Sequence, residues 1–488
     1  MKTKFNFRRW PVTLAITKGQ LQVSGFRRLI SYIFLIFILL IALEGCEQKQ
    51  TYLRSAPKRG FEKRIHNEVS NIWIINTHEH LPSESSALNR PADFNVFIKT
   101  YQASDLISAG LPELVDPRWE KIVQKLESKD ISVDEKWDYI KDYWKETKTT
   151  AAGRAVLIAT KDLYGIEDLN KNTCKELSAR IEKVHKKDYY YNYVLREKAK
   201  IDMNIQTGMS ESDYDKKYFR EQLHIYPMLQ LYTYNHIKSF SKDFQLPEIN
   251  TLDDMDNSVD LLFQKALKYG VVGVKSNLAY YRTIQINDVS RLTAGELFNK
   301  MKDDPDKYLS IEEQNQWIDY MFNRILNACE KYDLPIQIHT GIQTFNGNFL
   351  FNTNPTLLTS TIMRFPKVKF LLLHSGYPFG GEIAALAKMF TNVYIDMTWT
   401  PLISPSYAVR YLREFIETVP QNKIMAFGGD CTTVEGTYGA SVLAREVVAE
   451  TLVPMVREGY LSEEEAVVLA RKLLRENAIR IFKLDFLK

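Results

Sequence analysis

The segment Ile72-Trp-Ile-Ile-Asn-Thr-His-Glu-His80 is an apolar run that ends in two histidines, and it is the first of a series. From residue 71 onward, short apolar runs recur, each bounded by turn residues and separated from the next by an amphipathic stretch. This alternation is typical of βα units around a parallel sheet, and eight strands close such a sheet into a barrel. The predicted strands, β1 to β8, are Ile72–Thr77, Ala199–Gln206, Leu223–Leu231, Val271–Lys275, Pro335–Thr340, Phe370–Ser375, Val393–Thr398 and Ile424–Gly429.

Most spacers between these strands carry apolar residues at three- and four-residue spacing, which predicts helices. The stretches are 257–269, 312–331, 355–365, 380–390, 405–418 and 441–457. One spacer is much longer than a βα loop, because residues 81–198 separate β1 from β2, and it has a helical pattern. The sequence therefore predicts an α/β fold over residues 67–488, a (β/α)8 TIM barrel with a helical insertion (81–198) over its mouth.

The composition excludes several classes of function. The chain has 488 residues, of which 45% are hydrophobic and 25% charged, as in an ordinary globular protein. Its net charge is only +4, and seven of the Lys and Arg residues fall within the first 28 positions. The remainder is close to neutral and lacks the basic surface of a nucleic-acid-binding protein. A small molecule is therefore the expected partner, and no oligomeric state is indicated.

The N-terminus has the pattern of a signal peptide. A basic segment without acidic residues is followed by the apolar run Leu29–Leu43, whose 15 residues fall short of the roughly 20 that a spanning helix needs. The run ends at Leu43-Glu-Gly-Cys46, which resembles a bacterial lipobox and implies lipidation of Cys46. The alternative is an uncleaved signal anchor. Both interpretations make 1–46 a membrane leader and 47–66 a tether, and place the barrel in the cell envelope, outside the cytoplasm.

Polar residues terminate several of the predicted strands. In a barrel of this kind the active site lies at the carboxyl ends of the strands, so these residues are expected to meet. His78 and His80 end β1, and because side chains two apart on a strand point the same way, both imidazoles can enter the mouth together. The other strand-end residues are His339 after β5, His374 after β6 and Asp430 after β8. A lone His-x-His can be a packed core pair, but the joint pattern indicates a site.

Several histidines with one carboxylate form a donor set that suits a divalent first-row metal, with Zn²⁺ favoured. Such a site keeps one coordination position for water, and the metal lowers the pKa of that water toward about 7. A single ion is favoured over two. The sequence therefore predicts metal-assisted chemistry at the barrel mouth.

The chain also resembles the amidohydrolase-related (amidohydrolase 2) branch of the amidohydrolase superfamily, and within it the amidohydrolase domain of nodulin/glutamine-synthetase-like fusion proteins. The resemblance covers about residues 70–485. Its carriers are Asn76-Thr-His-Glu-His80, Val274-Lys-Ser-Asn-Leu-Ala-Tyr-Tyr-Arg282, Leu334-Pro-Ile-Gln-Ile-His-Thr-Gly341, Asn354-Pro355, Leu373-His-Ser-Gly-Tyr-Pro378, Gly429-Asp430 and Asn477-Ala-Ile-Arg-Ile-Phe482.

The resemblance implies roles for the strand-end residues. It implies that His78, His80, His339 and Asp430 are metal ligands. It implies that His374 contacts a metal or the substrate, and that Asp430 also takes the proton of the attacking water.

Three further residues are candidates for substrate binding. Lys275, at the end of β4, could be a carboxylated ligand that bridges two metals, a cation for an acidic substrate, or a buried ion-pair partner. Arg282, on the loop of the same βα unit, could hold a substrate carboxylate or lie on the surface. Trp399, after β7, could cover the pocket or pack in the core. The remaining histidines lie off the predicted strand ends and are expected not to be ligands: His66, His185, His224 and His236.

These features predict a metal-dependent hydrolase that cleaves an amide, lactone or related bond of a small anionic or zwitterionic substrate, using metal-activated water and Asp430 as general base. The first alternative is a uronate isomerase or a nonoxidative decarboxylase of the same superfamily, since these share the ligand layout. The second alternative is a binding lipoprotein whose barrel has lost its activity.

Overall fold

A computed structural model describes residues 60–90, 92–111, 125–185, 189–208, 215–344 and 347–487. The predicted leader with Cys46 and most of the tether lie outside these residues and stay predictions. The last part of the tether, however, belongs to the helix Phe61–Asn71, which buries Ile65 and Val69 one turn apart. The folded part therefore begins before the predicted boundary at residue 67. Within the described ranges, no helix combines the length and the apolar character needed to cross a membrane.

Eight parallel strands follow one another around the sheet in chain order, each hydrogen-bonded to the next. Backbone hydrogen bonds close the circle, because the N–H of Asp430 donates to the carbonyl of His78 at 2.9 Å and the N–H of His80 donates to that of Cys431 at 3.1 Å. The predicted (β/α)8 barrel is confirmed. The observed strands β1 to β8 are Ile74–Glu79, Ile201–Thr207, Phe219–His224, Gly273–Ser276, Ile336–Ile338, Phe370–Leu372, Val393–Asp396 and Ile424–Met425.

The predicted position of β3, Leu223–Leu231, is wrong. The strand is Phe219–His224, and the residues after it form the short helix Tyr226–Leu229. Pro227 explains the difference, because it has no N–H for a central strand but fits the first turn of a helix. The corrected end of β3 changes which residues can reach the barrel mouth. His224 now ends β3 and is the register partner of Lys275 on β4.

Helices fill the spacers between the strands, as predicted. Several begin with a capping box, in which a Ser or Thr and the acidic residue three positions later bond each other's backbone N–H, as at Ser310 and Glu313. After β2 the longer helices are Tyr234–Asp243, Leu252–Tyr269, Arg291–Asp303, Ile311–Tyr332, Thr359–Arg364, Gly380–Met389, Pro405–Thr418, Val434–Arg457, Glu463–Arg471 and Asn477–Ile481, with a four-residue turn at Thr400–Ile403.

The insertion between β1 and β2 is helical, as predicted, and it is attached at the mouth of the barrel. The buried Glu435 carboxylate, in the first turn of helix Val434–Arg457, accepts hydrogen bonds from the hydroxyls of Tyr164 (2.9 Å) and Tyr190. The Tyr101 hydroxyl donates to the backbone carbonyl of Asp430 at 2.6 Å. The helices of this region are Glu84–Leu88, Thr100–Ser108, Val133–Thr147, Ala151–Tyr164, Lys171–His185 and the π-helical turn Asn192–Lys198.

The two ends of the barrel differ in chemistry. At the amino ends of the strands, Ile75, Met203 and Leu371 form an apolar cluster with Ile479 and Phe482 of the C-terminal segment. Burying such side chains contributes roughly 1.5–3 kcal/mol each. This end is therefore a packed plug, and the polar strand-end residues are confined to the opposite end.

Candidate metal centre and active site

The structure brings three of the predicted ligands together. The imidazoles of His78 and His80 lie edge to face, with ring centroids 4.9 Å apart. Their Nε2 atoms are 3.4 and 3.1 Å from the same carboxylate oxygen, Oδ1 of Asp430. All three donor atoms lie within 4.8 Å of one another. Two imidazole nitrogens and one carboxylate oxygen thus converge on one point, and we call His78, His80 and Asp430 the triad.

The tautomer of His78 is set by the residue behind it. The Gln337 amide donates through Nε2 to the carbonyl of Thr77 at 2.9 Å and to Asp396 Oδ2 at 3.1 Å, so its Oε1 faces His78 Nδ1 at 2.9 Å. Because Oε1 can only accept, Nδ1 carries the proton and Nε2 keeps its lone pair. Metal-binding histidines characteristically donate their other N–H in this way. His78 is therefore oriented and protonated as a ligand.

Asp430 is held in place by Glu79, which lies between the two histidines in sequence. The buried Glu79 carboxylate accepts hydrogen bonds from the Cys431 N–H at 2.6 Å, from the Asn76 amide at 2.7 Å and from the Thr437 hydroxyl at 2.8 Å. A Cβ on Gly429 would lie 2.0 Å from Glu79 Oε1, so only glycine permits this approach. The loop after β8 is thereby fixed against β1, with Asp430 pointing to the histidines.

Burial and neighbouring charges set the protonation of the triad. Burial lowers the pKa of His78 well below its usual range, and the ammonium of Lys275 lowers it further. Burial alone would raise the pKa of Asp430, but the hydrogen bond from His80 and the nearby His78 outweigh it, so that pKa lies well below its ordinary value. A neutral imidazole and an ionised carboxylate are the forms that bind a metal.

His339 and His374 form a separate pair. His339 Nδ1 lies 3.0 Å from His374 Nε2, while the outer nitrogens face the carbonyls of Ile342 (2.9 Å) and Thr398 (3.1 Å). Both outer nitrogens must donate, so two neutral rings would face each other with lone pairs. One proton or one cation between the rings resolves this conflict. The predicted ligand His339 thus points to His374 rather than to the triad, and its metal role stays a prediction.

Left-handed backbone conformations cluster at this end of the barrel. His374, Ser375, Trp399 and Asp430 have φ values of 62°, 49°, 63° and 55°. Non-glycine residues in this region cost of order 1–3 kcal/mol each and persist where the surroundings impose them. Three of the four are predicted site residues, so the fold holds these side chains in place at a cost in stability.

A cavity of about 500 Å³ opens beside the triad. Its lining includes Lys275 and His339, and it receives Tyr101 and Ser104 from the insertion. The other lining residues are His78, His80, Thr207, His224, Asn277, Tyr280, Tyr281, Thr344, Asp430 and Thr432. This volume suits a small molecule rather than a polymer.

Two predicted substrate-binding residues do not line this cavity. Arg282 turns away from it and forms an ion pair with Asp319 at 3.0 Å, and its guanidinium also donates to the backbone carbonyl of Asn315. The prediction that Arg282 grips the substrate is therefore not supported by its position, and its partners make it a structural residue. Trp399 stacks on Tyr101 at 4.2 Å and lines a neighbouring cavity of about 510 Å³.

Sequence reasoning missed several residues around the triad. His224 was set aside because β3 was misplaced, and Pro227 is the signal that could have corrected it. Gln337 is a polar residue between two isoleucines of a buried strand, which is itself a signal of a buried hydrogen-bonding role. Tyr101 carries no such signal, since it reaches the site only through the fold of the insertion.

The residues present fit a divalent metal. Among the residues that the structure describes, none hydrogen-bonds to the buried His78 Nε2. A buried polar atom without a partner is costly, and a cation at the triad would satisfy it together with His80 Nε2 and Asp430 Oδ1. Three protein donors leave a further coordination position for water or substrate, as in catalytic zinc sites.

Comparison with known proteins relates part of this chain to a family. The model of the Amidohydrolase family matches residues 251–484, which contain β4 to β8. Protein fluG of Emericella nidulans is 30% identical over 174 residues, which are 35% of this chain and 20% of that protein. The match thus spans only a fifth of that relative.

Solved structures share the fold over nearly their whole length. Uronate isomerase of Thermotoga maritima superposes with a TM-score of 0.70 at 15% identity, covering 86% of this chain and 97% of that one. Glucuronate isomerase of Caulobacter crescentus gives 0.67 at 16% identity, covering 90% and 97%. A Lactobacillus casei protein described as a metal-dependent hydrolase gives 0.59 at 18%, covering 86% and 98%. Over residues 251–484 the chain therefore belongs to the amidohydrolase superfamily, in its amidohydrolase 2 branch, and the described part of the chain shares the barrel fold of these solved structures.

Proposed function

We propose that this enzyme is a hydrolase that cleaves an amide, lactone or related bond of a small anionic or zwitterionic substrate. The observation that carries the proposal is the convergence of His78 Nε2, His80 Nε2 and Asp430 Oδ1 within 4.8 Å, beside a cavity of substrate size. The triad would hold one divalent ion, with Zn²⁺ the best match to two nitrogen donors and one oxygen donor.

When bound, the metal would polarise the scissile carbonyl and lower the pKa of a water molecule toward about 7. The chain's own contribution is to hold the reactants and to take a proton. Oδ1 of Asp430 faces the Nε2 atoms of both histidines, which leaves Oδ2 as the second oxygen of the carboxylate. That second oxygen is therefore available to accept a proton from the attacking water, as a general base must.

Lys275 supports an acidic substrate. It is only 3% exposed, yet it lines the cavity beside the triad. A single cation in the cavity wall favours an anionic group on the substrate, and a zwitterion would be accepted if its amine pointed elsewhere.

Isomerisation of a uronate is the second candidate function. The fold likeness to two uronate isomerases, which extends over 97% of each of those chains, favours it. A uronate also carries the carboxylate that the wall around Lys275 would accept. An inactive binding protein is less well supported, because the triad retains every donor that a metal needs.

The test is a substrate screen with the metal-loaded, full-length protein. Small amides, lactones and uronates are each offered, and hydrolysis is expected for at least one carboxylate-bearing amide or lactone, with loss of activity after chelation. Turnover of a uronate to its keto isomer, without hydrolysis of any other compound, would replace the hydrolase proposal by the isomerase. A metal-free protein that binds but converts none of them would favour the binding protein.

A further inference from the structure

Lys275 is a buried cation to which the described part of the chain supplies no counter-ion in contact. Its side chain is 3% exposed, and within the described ranges its ammonium forms no hydrogen bond or ion pair. The acidic groups that influence it are Asp430 and Asp396. Asp430 faces the histidines of the triad, and both oxygens of Asp396 are filled by Thr77, Thr398 and Gln337. An unpaired buried charge is among the costliest groups in a fold, so its persistence needs a reason.

A second buried lysine, Lys423, shows how hydrogen bonds within the protein can satisfy a buried ammonium. Lys423 is 7% exposed, and its ammonium donates to the carbonyls of Ala387 and Phe390, both at 2.6 Å. Lys423 therefore stabilises the fold through its own hydrogen bonds. Among the residues that the structure describes, none makes such a contact with Lys275, which instead borders an open cavity of about 500 Å³. The missing partner of Lys275 is expected to come from the ligand.

His224 stands beside Lys275 at the carboxyl ends of the strands. The two residues are register partners on β3 and β4, and neighbouring strands lie about 4.8 Å apart. Both line the cavity, together with Asn277, whose side chain hydrogen-bonds to His224. One cation, one imidazole and one amide thus border the same part of the wall.

The charge of this wall selects among anions. Lys275 is the one lysine or arginine among the described residues that line the cavity. A single positive charge balances a carboxylate, whereas a phosphate of about −2 charge would remain undercompensated. Imidazole and amide N–H groups complete the directional hydrogen bonds that a carboxylate accepts.

We propose that Lys275, His224 and Asn277 form a carboxylate-binding subsite that anchors the substrate in the cavity it shares with the triad, and that His224 is a specificity-determining residue. The proposal rests on the proposed function in one respect only, namely that the triad is where the substrate reacts. The substrate class is then a carboxylic acid that also carries the reacting carbonyl group. Arg282 takes no part, because Asp319 already neutralises it.

The experiment measures binding rather than turnover. Glutarate and its neutral analogue glutaramide are titrated calorimetrically into the full-length protein, both metal-loaded and chelator-treated. Without metal, glutarate is expected to bind about tenfold to a hundredfold more tightly than glutaramide, because charge-assisted hydrogen bonds are the strong ones. Lys275→Met should abolish this preference. His224→Phe should reduce it severalfold, while His224→Gln, which keeps an N–H donor, should restore most of it.

Thermal stability separates this role from a structural one. Lys275→Met is expected to raise the Tm, because it removes an unpaired buried charge. The matched variant Lys423→Met should lower the Tm and leave glutarate binding unchanged, because it removes two satisfied hydrogen bonds far from the cavity. A lower Tm in Lys275→Met together with unchanged glutarate affinity would overturn the subsite.

The outcomes also keep the subsite and the hydrolase apart. Lys275-dependent glutarate binding without any hydrolysis in the screen would retain the subsite and reject the hydrolase. Hydrolysis together with glutarate binding that does not depend on Lys275 would retain the hydrolase and reject the subsite. Halved metal content in Lys275→Met would mean that Lys275 is a carboxylated ligand between two metals, which contradicts the subsite.

Discussion

Two pairs of histidines end strands of the same barrel, and the two pairs differ in what their ring nitrogens face. His78 and His80 present Nε2 atoms to Asp430, and His78 Nε2 has no hydrogen-bond partner among the described residues. His339 and His374 instead face each other at 3.0 Å, with their outer nitrogens on backbone carbonyls. Position at a strand end is therefore not sufficient for ligation. The difference lies in the inner nitrogens: His78 Nε2 has no hydrogen-bond partner among the described residues, whereas His339 Nδ1 and His374 Nε2 face each other.

The largest expected effect comes from removing the carboxylate of Asp430, which the Nε2 atoms of His78 and His80 face. Asp430→Asn should lower kcat/KM by about a thousandfold or more, because it removes both a metal donor and the proposed proton acceptor. The matched control is Asp256→Asn, a buried carboxylate held by Tyr320 and arginines away from the cavity. That variant should lose stability but keep its turnover. Steady-state kinetics of both variants, with the metal content of each measured alongside, make the comparison, and full turnover in Asp430→Asn would remove Asp430 from the chemistry.

Replacing a residue of the second pair, His339 and His374, should affect turnover without affecting metal content. His339→Ala is expected to retain the ion, because the triad keeps its three donors, and to lower kcat by about tenfold to a hundredfold through loss of a residue that lines the cavity. The control His236→Ala alters a histidine whose ring partner is Tyr308, outside the cavity. Elemental analysis beside kinetics decides the matter. Loss of the ion from His339→Ala would restore His339 as a fourth ligand.

Gln337 leaves Nε2 of His78 available to a metal, because its amide oxygen accepts the proton on Nδ1. Gln337→Leu removes the acceptor of the His78 Nδ1 proton, so the ring is free to turn and to change tautomer. Loss of such a partner typically costs about 10- to 100-fold in metal affinity, and we expect a weakening in that range. Competition with a chromophoric chelator measures it. Unchanged affinity would mean that His78 is oriented by packing alone.

A smaller effect concerns the pH dependence of binding of an acidic ligand. It comes from Lys275, whose ammonium lowers the pKa of one histidine in each pair. Burial lowers the pKa of Lys275 from 10.5 to about 8, and its ammonium in turn lowers the pKa of His78 and His339. Lys275 is charged below about pH 8 and neutral above it, so affinity for an acidic ligand falls as pH rises. Between pH 7 and pH 8.5 the fall should be roughly fourfold, judged from the charged fraction. Lys275→Met should abolish this dependence, and a dependence that persists would point to another group.

The sequence is informative where periodicity and position carry the signal. Eight apolar runs and their polar ends place His78, His80 and Asp430 correctly, because the topology of a barrel converts strand order into spatial proximity. It fails where a local exception overrides the pattern, as at Pro227, which moves the end of β3 to His224. It also fails where a long-range partner decides, since nothing near Arg282 in sequence indicates its ion pair with Asp319. The left-handed backbone at Asp430 and the contact with Tyr101 likewise depend on tertiary structure.

The central claim, that His78, His80 and Asp430 hold a catalytic metal, is tested most directly by counting ions. Full-length wild-type protein and the variant His80→Ala are dialysed together against zinc and analysed for metal by mass spectrometry, with His236→Ala as control. His80 is 43% exposed, so its replacement should leave the fold intact. We predict about one ion per chain in wild type and control, and almost none in His80→Ala. A wild-type protein that is active without metal, or a His80→Ala variant with full metal content, would contradict the account.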